Sequence, residues 1–234
     1  MQLENKKELI KLHSTRGEMY AFLGRVYANV PNDEFYQMLN KIYEKLEILV
    51  TQVDNENLSS GVKGLKEFLD KRKALKGDEL ASFDLETLRH YTTLFGLTTS
   101  IPTDESIYTS VEHRERMDAY DKMINLFKYY GYKKRQDISE NEDFISYELL
   151  FMSHLAYSSA ELVKKGDEAT YKKYFEGQVS FHKNHFDKWV YEFFRRVETK
   201  EVENEILYKY LAQISSGFIH EDKLLLEELN SSNN

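Results

Sequence analysis

Apolar residues recur every three or four positions along nearly the whole chain, and no stretch alternates with period two. The clearest run spans Ser139 to Lys165, where Ile145, Leu149, Met152, Leu155 or Ala156, and Leu162 fall on one helical face. Ser139 and Glu142 have the spacing of a capping box, which predicts a helix start at Ser139. Asp143 then falls in the first turn, where a carboxylate suits the positive helix end. Glu148 sits beside the apolar row, so if it is buried it needs a donor, from the fold or from a ligand.

The same periodicity predicts the other elements. Residues 4–30 form a first helix with Leu9, Leu12, Met19, Leu23, Val26 and Val30 on one face. Gly17 and Gly24 are places for a kink or break, and Pro31 stops the helix. Asn32 or Asp33 caps a second helix with Phe35, Leu39, Ile42, Leu46 and Leu49 inward. A polar loop over 54–61 leads through Gly61-Val62-Lys63-Gly64 into a helix over 62–75. Asp84 caps a helix with Leu88, Tyr91 and Phe95 on one face, ended by Gly96. Thr103 or Asp104 starts the next helix, which runs through Val111, Met123, Ile124 and Phe127 to Tyr130, with Gly131 just beyond its end. Asp167 caps a helix over 168–198 carrying Tyr171, Phe175, His182, Phe186, Trp189, Phe193 and Val197. A helix over 202–216 ends at Gly217, followed by a short helix over 218–229 and a disordered Ser-Ser-Asn-Asn tail. The expectation is an all-α chain, a single globular helical domain of about eight to ten helices over residues 1–234. Gly77 to Ser82 and Lys133 to Asp137 are the best linkers, and any sub-division belongs near 133–139.

Composition supports this picture and narrows the function. Of 234 residues, 41% are hydrophobic, and 17 Tyr and 14 Phe supply a bulky core. Two prolines and ten glycines leave long helices uninterrupted. The net charge of −8 offers no general basic face, so no nucleic acid is expected as partner. The chain has no cysteine, which removes disulfides, thiolate metal sites and thiol catalysis. The start, MQLENKKELI, lacks the apolar core of a secretory signal, and no apolar run approaches a membrane span. A cytoplasmic protein without stable membrane insertion is expected.

Candidate chemistry is sparse. His182 and His185 lie three residues apart and could share a metal, but Phe181, Phe186 and Trp189 surround them, so none is expected there. There is no Glu-x-x-His, no His-Glu-x-x-His, no phosphate loop and no Gly-x-Ser-x-Gly elbow. The expectation is a protein that is not an enzyme, with no catalytic residues and no cofactor. The loop from Gly96 to Tyr108 is longer than a helix connection requires, and its tail, Pro102 to Tyr108, mixes acids with an aromatic.

Three blocks share an order with a known family. They are Leu88 to Gly96, of the form Tyr-x-x-Leu-Phe before a glycine; Pro102 with Ser106 and Tyr108; and Asp143, Ile145, Glu148-Leu149 and Phe151-Met152. Phe181, His185, Trp189 and Phe193 add a fourth. Together they resemble the TorD/DmsD family of maturation chaperones for molybdenum-cofactor oxidoreductases. The chain departs from the family pattern in having Phe144 where the family has His, Glu142 where proline is frequent, and Phe186 for Leu. The resemblance implies an all-helical cytoplasmic chaperone, monomer or homodimer. Its partners would be the twin-arginine signal peptide and the apo-protein of a molybdenum oxidoreductase. It further implies that Leu94, Phe95, Pro102, Tyr108 and Phe144 give apolar contact, and that Asp143, Glu105 and Asp104 meet the arginines, with Ser106 in the same motif. Tyr91, Glu148, His185 and Trp189 would support that site or pair within the fold. A nucleotide- or molybdenum-cofactor-binding assembly factor and a helical interaction scaffold are the alternatives.

Overall fold

The computed structural model describes residues 3–96, 100–134, 140–200 and 207–232. Among them lie ten α-helices: α1 Leu3–Ala28, α2 Asp33–Leu49, α3 Glu56–Ala74, α4 Gly77–Tyr91, α5 Glu105–Thr109, α6 Asp118–Tyr129, α7 Ile145–Lys165, α8 Glu168–Phe181, α9 Asp187–Thr199 and α10 Leu207–Ser232. Two widened π-turns, Thr92–Gly96 and His182–Phe186, follow α4 and α8. No strand occurs among the described residues, and a lone antiparallel bridge joins Asp104 to Phe144. The all-α expectation holds. Among these residues, no helix is long and apolar enough to cross a membrane.

The chain gathers into two compact units. The first is Met1–Tyr27, Thr103–Trp189 and Leu225–Asn234, and the second is Ala28–Pro102 and Val190–Leu224. In the first, α7 is the central rod. Ile145, Leu149, Phe151, Met152, Leu155 and Ala156 are fully buried along it. Phe151 packs against Phe127, Tyr130 and Phe181, which draws α6 and α8 onto it. In the second unit Tyr208 of α10 meets Phe35, Tyr91 and Phe95. Arg72 of α3 grips Asp84 of α4 through two 2.8 Å bonds and lies 3.7 Å over the Tyr36 ring.

Caps fall largely where the sequence puts them. Asn32 accepts the Phe35 N–H, and Asp167 accepts the Thr170 N–H. Gly131 and Gly166 take left-handed backbone after α6 and at the end of α7.

Several boundaries are corrected, each for a physical reason. α1 runs unbroken through Gly17 and Gly24, because at Gly24 a Cβ would lie 2.7 Å from the Leu150 side chain and the missing side chain lets α7 approach. Val30 lies beyond that helix and is 50% exposed. α3 starts at Glu56 because Asn55 accepts the Leu58 N–H, so Gly61-Val62-Lys63-Gly64 is mid-helix. Asp84 is no cap but lies within α4, committed to Arg72. The helix expected over 103–130 is two, α5 and α6, parted by a loop in which His113 and Arg116 adopt positive φ. Val111 in that loop is 91% exposed rather than inward. α7 begins at Ile145, not Ser139: the Phe144 carbonyl takes the first helical bond, and Glu142 lies 3.5 Å from Lys134. Ser139 is outside the described residues. The expected 168–198 helix is interrupted by the His182–Phe186 turn. α10 runs through Gly217 to Ser232, because a Cβ on Gly217 would meet Leu58 Cβ at 2.7 Å and Leu58 N at 2.8 Å. Glycine there serves a close approach of α3 and α10, and residues 201–206 are outside the described set.

Candidate functional site

The motif residues fall into two groups, one in each unit. In the first unit, residues 103–106 and 141–145 are laced together by backbone. Glu105 N–H donates to Asp143 O at 2.9 Å, and Ile145 N–H donates to Thr103 O at 2.8 Å. Asp143 adds its side chain. Its Oδ2 accepts Ser106 N–H at 2.9 Å and Ser106 Oγ–H at 2.5 Å, while Ser106 Oγ accepts Met117 N–H at 3.1 Å. Asp143 is therefore not a helix-dipole residue but the buried clasp between the two segments, at 0% exposure. Phe144, in the bridge to Asp104, is buried and packs edge-on to Tyr147.

Four more polar side chains converge there. His185 Nδ1 lies 2.6 Å from Glu105 Oε2, so the ring N–H donates to the carboxylate. Trp189 Nε1–H donates to Glu148 Oε2 at 3.1 Å. Glu148 is fully buried, and its Oε1 meets no protein donor. The His182–Phe186 turn sets His185 against Phe181, with ring centroids 4.6 Å apart and planes 14° from parallel. Tyr108 packs on Trp189 at 5.2 Å. His182 turns elsewhere, with Nε2 3.1 Å from the Tyr20 hydroxyl, so the two histidines do not act as a pair.

The electrostatics follow from this crowding. Burial pushes the Asp104 carboxyl up to about 7, with the Asp143 charge adding to it and the Asn141 amide opposing it. Burial also raises Asp143, against the lowering effect of the Ser106 bonds. Glu148 is driven well above the usual carboxylate range, first by burial and then by the Glu105 charge. Asn141, absent from the residues singled out by motif, donates to Asp104 Oδ2 at 3.2 Å and accepts from Arg116 Nε at 2.8 Å. No spacing rule connects an asparagine to an acid 37 residues away.

In the second unit, Leu94 is fully buried, and its carbonyl accepts the Ile101 N–H across the loop at 2.8 Å. Phe95 is half-buried and contacts Tyr91, Phe193 and Tyr208. Pro102 lines a pocket of about 510 Å³ with Ser100, Ile101, Arg196, Thr199 and Lys200. Arg196 and Lys200 give that pocket a cationic side that sequence reading missed, since they lie almost 100 residues further along the chain than Pro102.

Residues 53–195, well over half of the chain and including both motif segments, match the family described as the nitrate reductase delta subunit. The chain belongs to that family. It is also 25% identical over 226 residues to a protein named chaperone protein TorD from Vibrio cholerae serotype O1, covering 95% of this chain and 97% of that one. The resemblance to the TorD/DmsD proteins read from the motif order is borne out. The family match spans α3 through most of α9, so it takes in Asp143, Glu148 and His185 as well as Pro102.

Proposed function

We propose that this member of the nitrate reductase delta subunit family is a cytoplasmic chaperone for a molybdenum-cofactor oxidoreductase. It binds the twin-arginine signal peptide and the apo-protein, and it releases the enzyme for export after cofactor insertion. The observation that carries the reading is the laced pair of segments at 103–106 and 141–145, which gathers the buried carboxyls of Asp104, Glu105 and Asp143 in one place. An arginine guanidinium brings five N–H donors in a fixed fork and a charge that stays on at neutral pH. Asp104, whose carboxyl accepts from the Asn141 amide and is pushed up to about 7 by burial, is the one we assign to the first arginine. Tyr108, half-buried beside Trp189, would give apolar contact on the same unit. On the second unit, Tyr91, Phe95 and Pro102 keep exposed surface for an apolar contact of their own, whereas Leu94 belongs to the core.

The test is calorimetry with a twin-arginine signal peptide and with its Lys-Lys version. Asp104→Asn should weaken the twin-arginine peptide at least about tenfold, the loss of one charge-assisted bidentate contact. The helical circular dichroism should stay unchanged. Equal affinity of wild type and variant, or equal affinity for the two peptides, would remove the assignment.

A second reading has one observation in its favour. The pocket beside Pro102, with Arg196 and Lys200 on its wall, suits an anionic ligand such as a nucleotide or the phosphate of the molybdenum cofactor. Saturable binding of GTP with magnesium, lost in Lys200→Ala, would support an assembly factor of that kind. An unchanged titration baseline would leave the peptide reading alone.

A further inference from the structure

We propose that Glu105, Glu148 and His185 form a buried site for a single divalent cation of the zinc class. Each residue offers one ligand atom, the three atoms lie within 4.8 Å of one another, and all three side chains are buried. They come from α5, α7 and the His182–Phe186 turn, so one ion would tie together elements up to 80 residues apart in the chain.

Acceptors outnumber donors at this place. Glu105 already accepts from His185, and Glu148 Oε2 already accepts from Trp189. Glu148 Oε1 is left without a protein donor in a side chain that is wholly enclosed. The charges that act on it most, Glu105 and Asp143, are both negative. Two acceptor carboxyls facing each other out of water need either a shared proton or a cation between them, and His185 beside them supplies a third ligand for the cation. One imidazole and two carboxylates are a donor set that zinc, manganese and ferrous ion accept, and the chain has no thiolate to compete.

The surroundings have the form of a second layer around such an ion. Trp189 Nε1–H fixes the outer oxygen of Glu148, and Phe181 stacks flat on the His185 ring and holds its plane. The His182–Phe186 π-turn is what swings His185 toward Glu105 while His182 goes to Tyr20. No catalytic role is implied, since the three ligands are enclosed; the ion would lock the 103–109 segment onto α7. The site does not depend on which client or peptide the protein binds.

The experiment uses untagged full-length protein stripped with EDTA and dialysed. Zinc content is read by elemental mass spectrometry after reloading with zinc chloride, and thermal unfolding is followed with and without zinc. A single equivalent of zinc is expected, with a rise in Tm of about 5–10 °C at zinc 100-fold above its Kd. Cobalt chloride should give visible absorption bands and quench the fluorescence of Trp189, the only tryptophan. Glu148→Gln and Glu105→Gln should lose the equivalent and the Tm response, and Asp70→Asn, on the exposed surface, should keep both. If the wild type takes up no zinc, manganese or iron, or its Tm ignores EDTA and zinc alike, the proposal is wrong. A Glu148→Gln protein that is at least as stable as the wild type, with no metal in either, would show that a proton sits between the two carboxyls instead.

Discussion

Replacing Asp143 by alanine removes the clasp between the two motif segments, and the structure sets the size of the effect. Asp143 Oδ2 accepts from Ser106 N–H and Ser106 Oγ–H, and both donors are buried. Hydrogen bonds to a charged acceptor contribute about 1.5–3 kcal/mol each, so the pair contributes about 3–6 kcal/mol. Burial of the carboxylate opposes this, as its raised pKa records. We therefore expect a net loss of about 2–4 kcal/mol. Asparagine keeps an acceptor oxygen but loses the charge, and should fall between wild type and alanine. Ser106→Ala should also cost stability, because it strands the Met117 N–H as well as losing one bond to Asp143. Urea unfolding followed by Trp189 fluorescence is the direct assay, since that residue packs against Tyr108 two positions past Ser106. For a chain of this length the loss corresponds to a drop in Tm of about 4–16 °C. A change in Asp143→Ala below about 0.5 kcal/mol, the size of an ordinary surface substitution, would refute the clasp.

Two further outcomes test the fold. Gly217→Ala should destabilise by about 1–2 kcal/mol in chemical denaturation, because the new Cβ meets the Leu58 backbone and this outweighs the usual helix gain of about 1 kcal/mol; a stabilised variant would mean that α3 and α10 are not in close contact. Tyr132, whose phenol burial pushes up to about 12, makes the protein sensitive to alkali. Its folded pKa lies above the unfolded value near 10, so its contribution is complete below pH 10 and is lost as pH rises through 12. Wild type should lose about 2–3 kcal/mol over that window that Tyr132→Phe does not lose, measured by urea midpoints at pH 9 and above.

The helices were legible because period and caps act locally. Asn32 and Asp167 cap by side-chain chemistry that three residues of sequence contain, and Gly131 and Gly166 end helices by backbone freedom alone. What could not be read was set by partners distant in the chain. Gly217 looks like a stop, but its meaning lies in Leu58. Ser139 and Glu142 spell a capping box, yet residues 143–145 are held by the 103–105 segment, and the helix begins at Ile145. Asp84 has the look of a cap and is an ion-pair partner of Arg72. The candidate site was legible only in its motif residues. The pairing of Glu105 with His185, and of Glu148 with Trp189, depends on a tertiary fold that periodicity does not encode. Both π-turns were invisible for the same reason: Thr92–Gly96 and His182–Phe186 keep helical composition while changing the count of residues per turn.

The turn at His182–Phe186 bears on how related chains are to be aligned. An α-helix advances about 100° per residue, so one extra residue wound into a turn rotates all that follows by roughly that angle. Residues up to Phe181 answer to one angular register and those from Asp187 onward to another. A relative that lacks the extra residue would show a one-position gap within 182–186 and otherwise keep every contact on both sides. A gap placed anywhere else in that helix would put Trp189 on the wrong face and part it from Glu148. The sequence count across this turn is therefore a structural measurement, readable in any homologue before its structure is known.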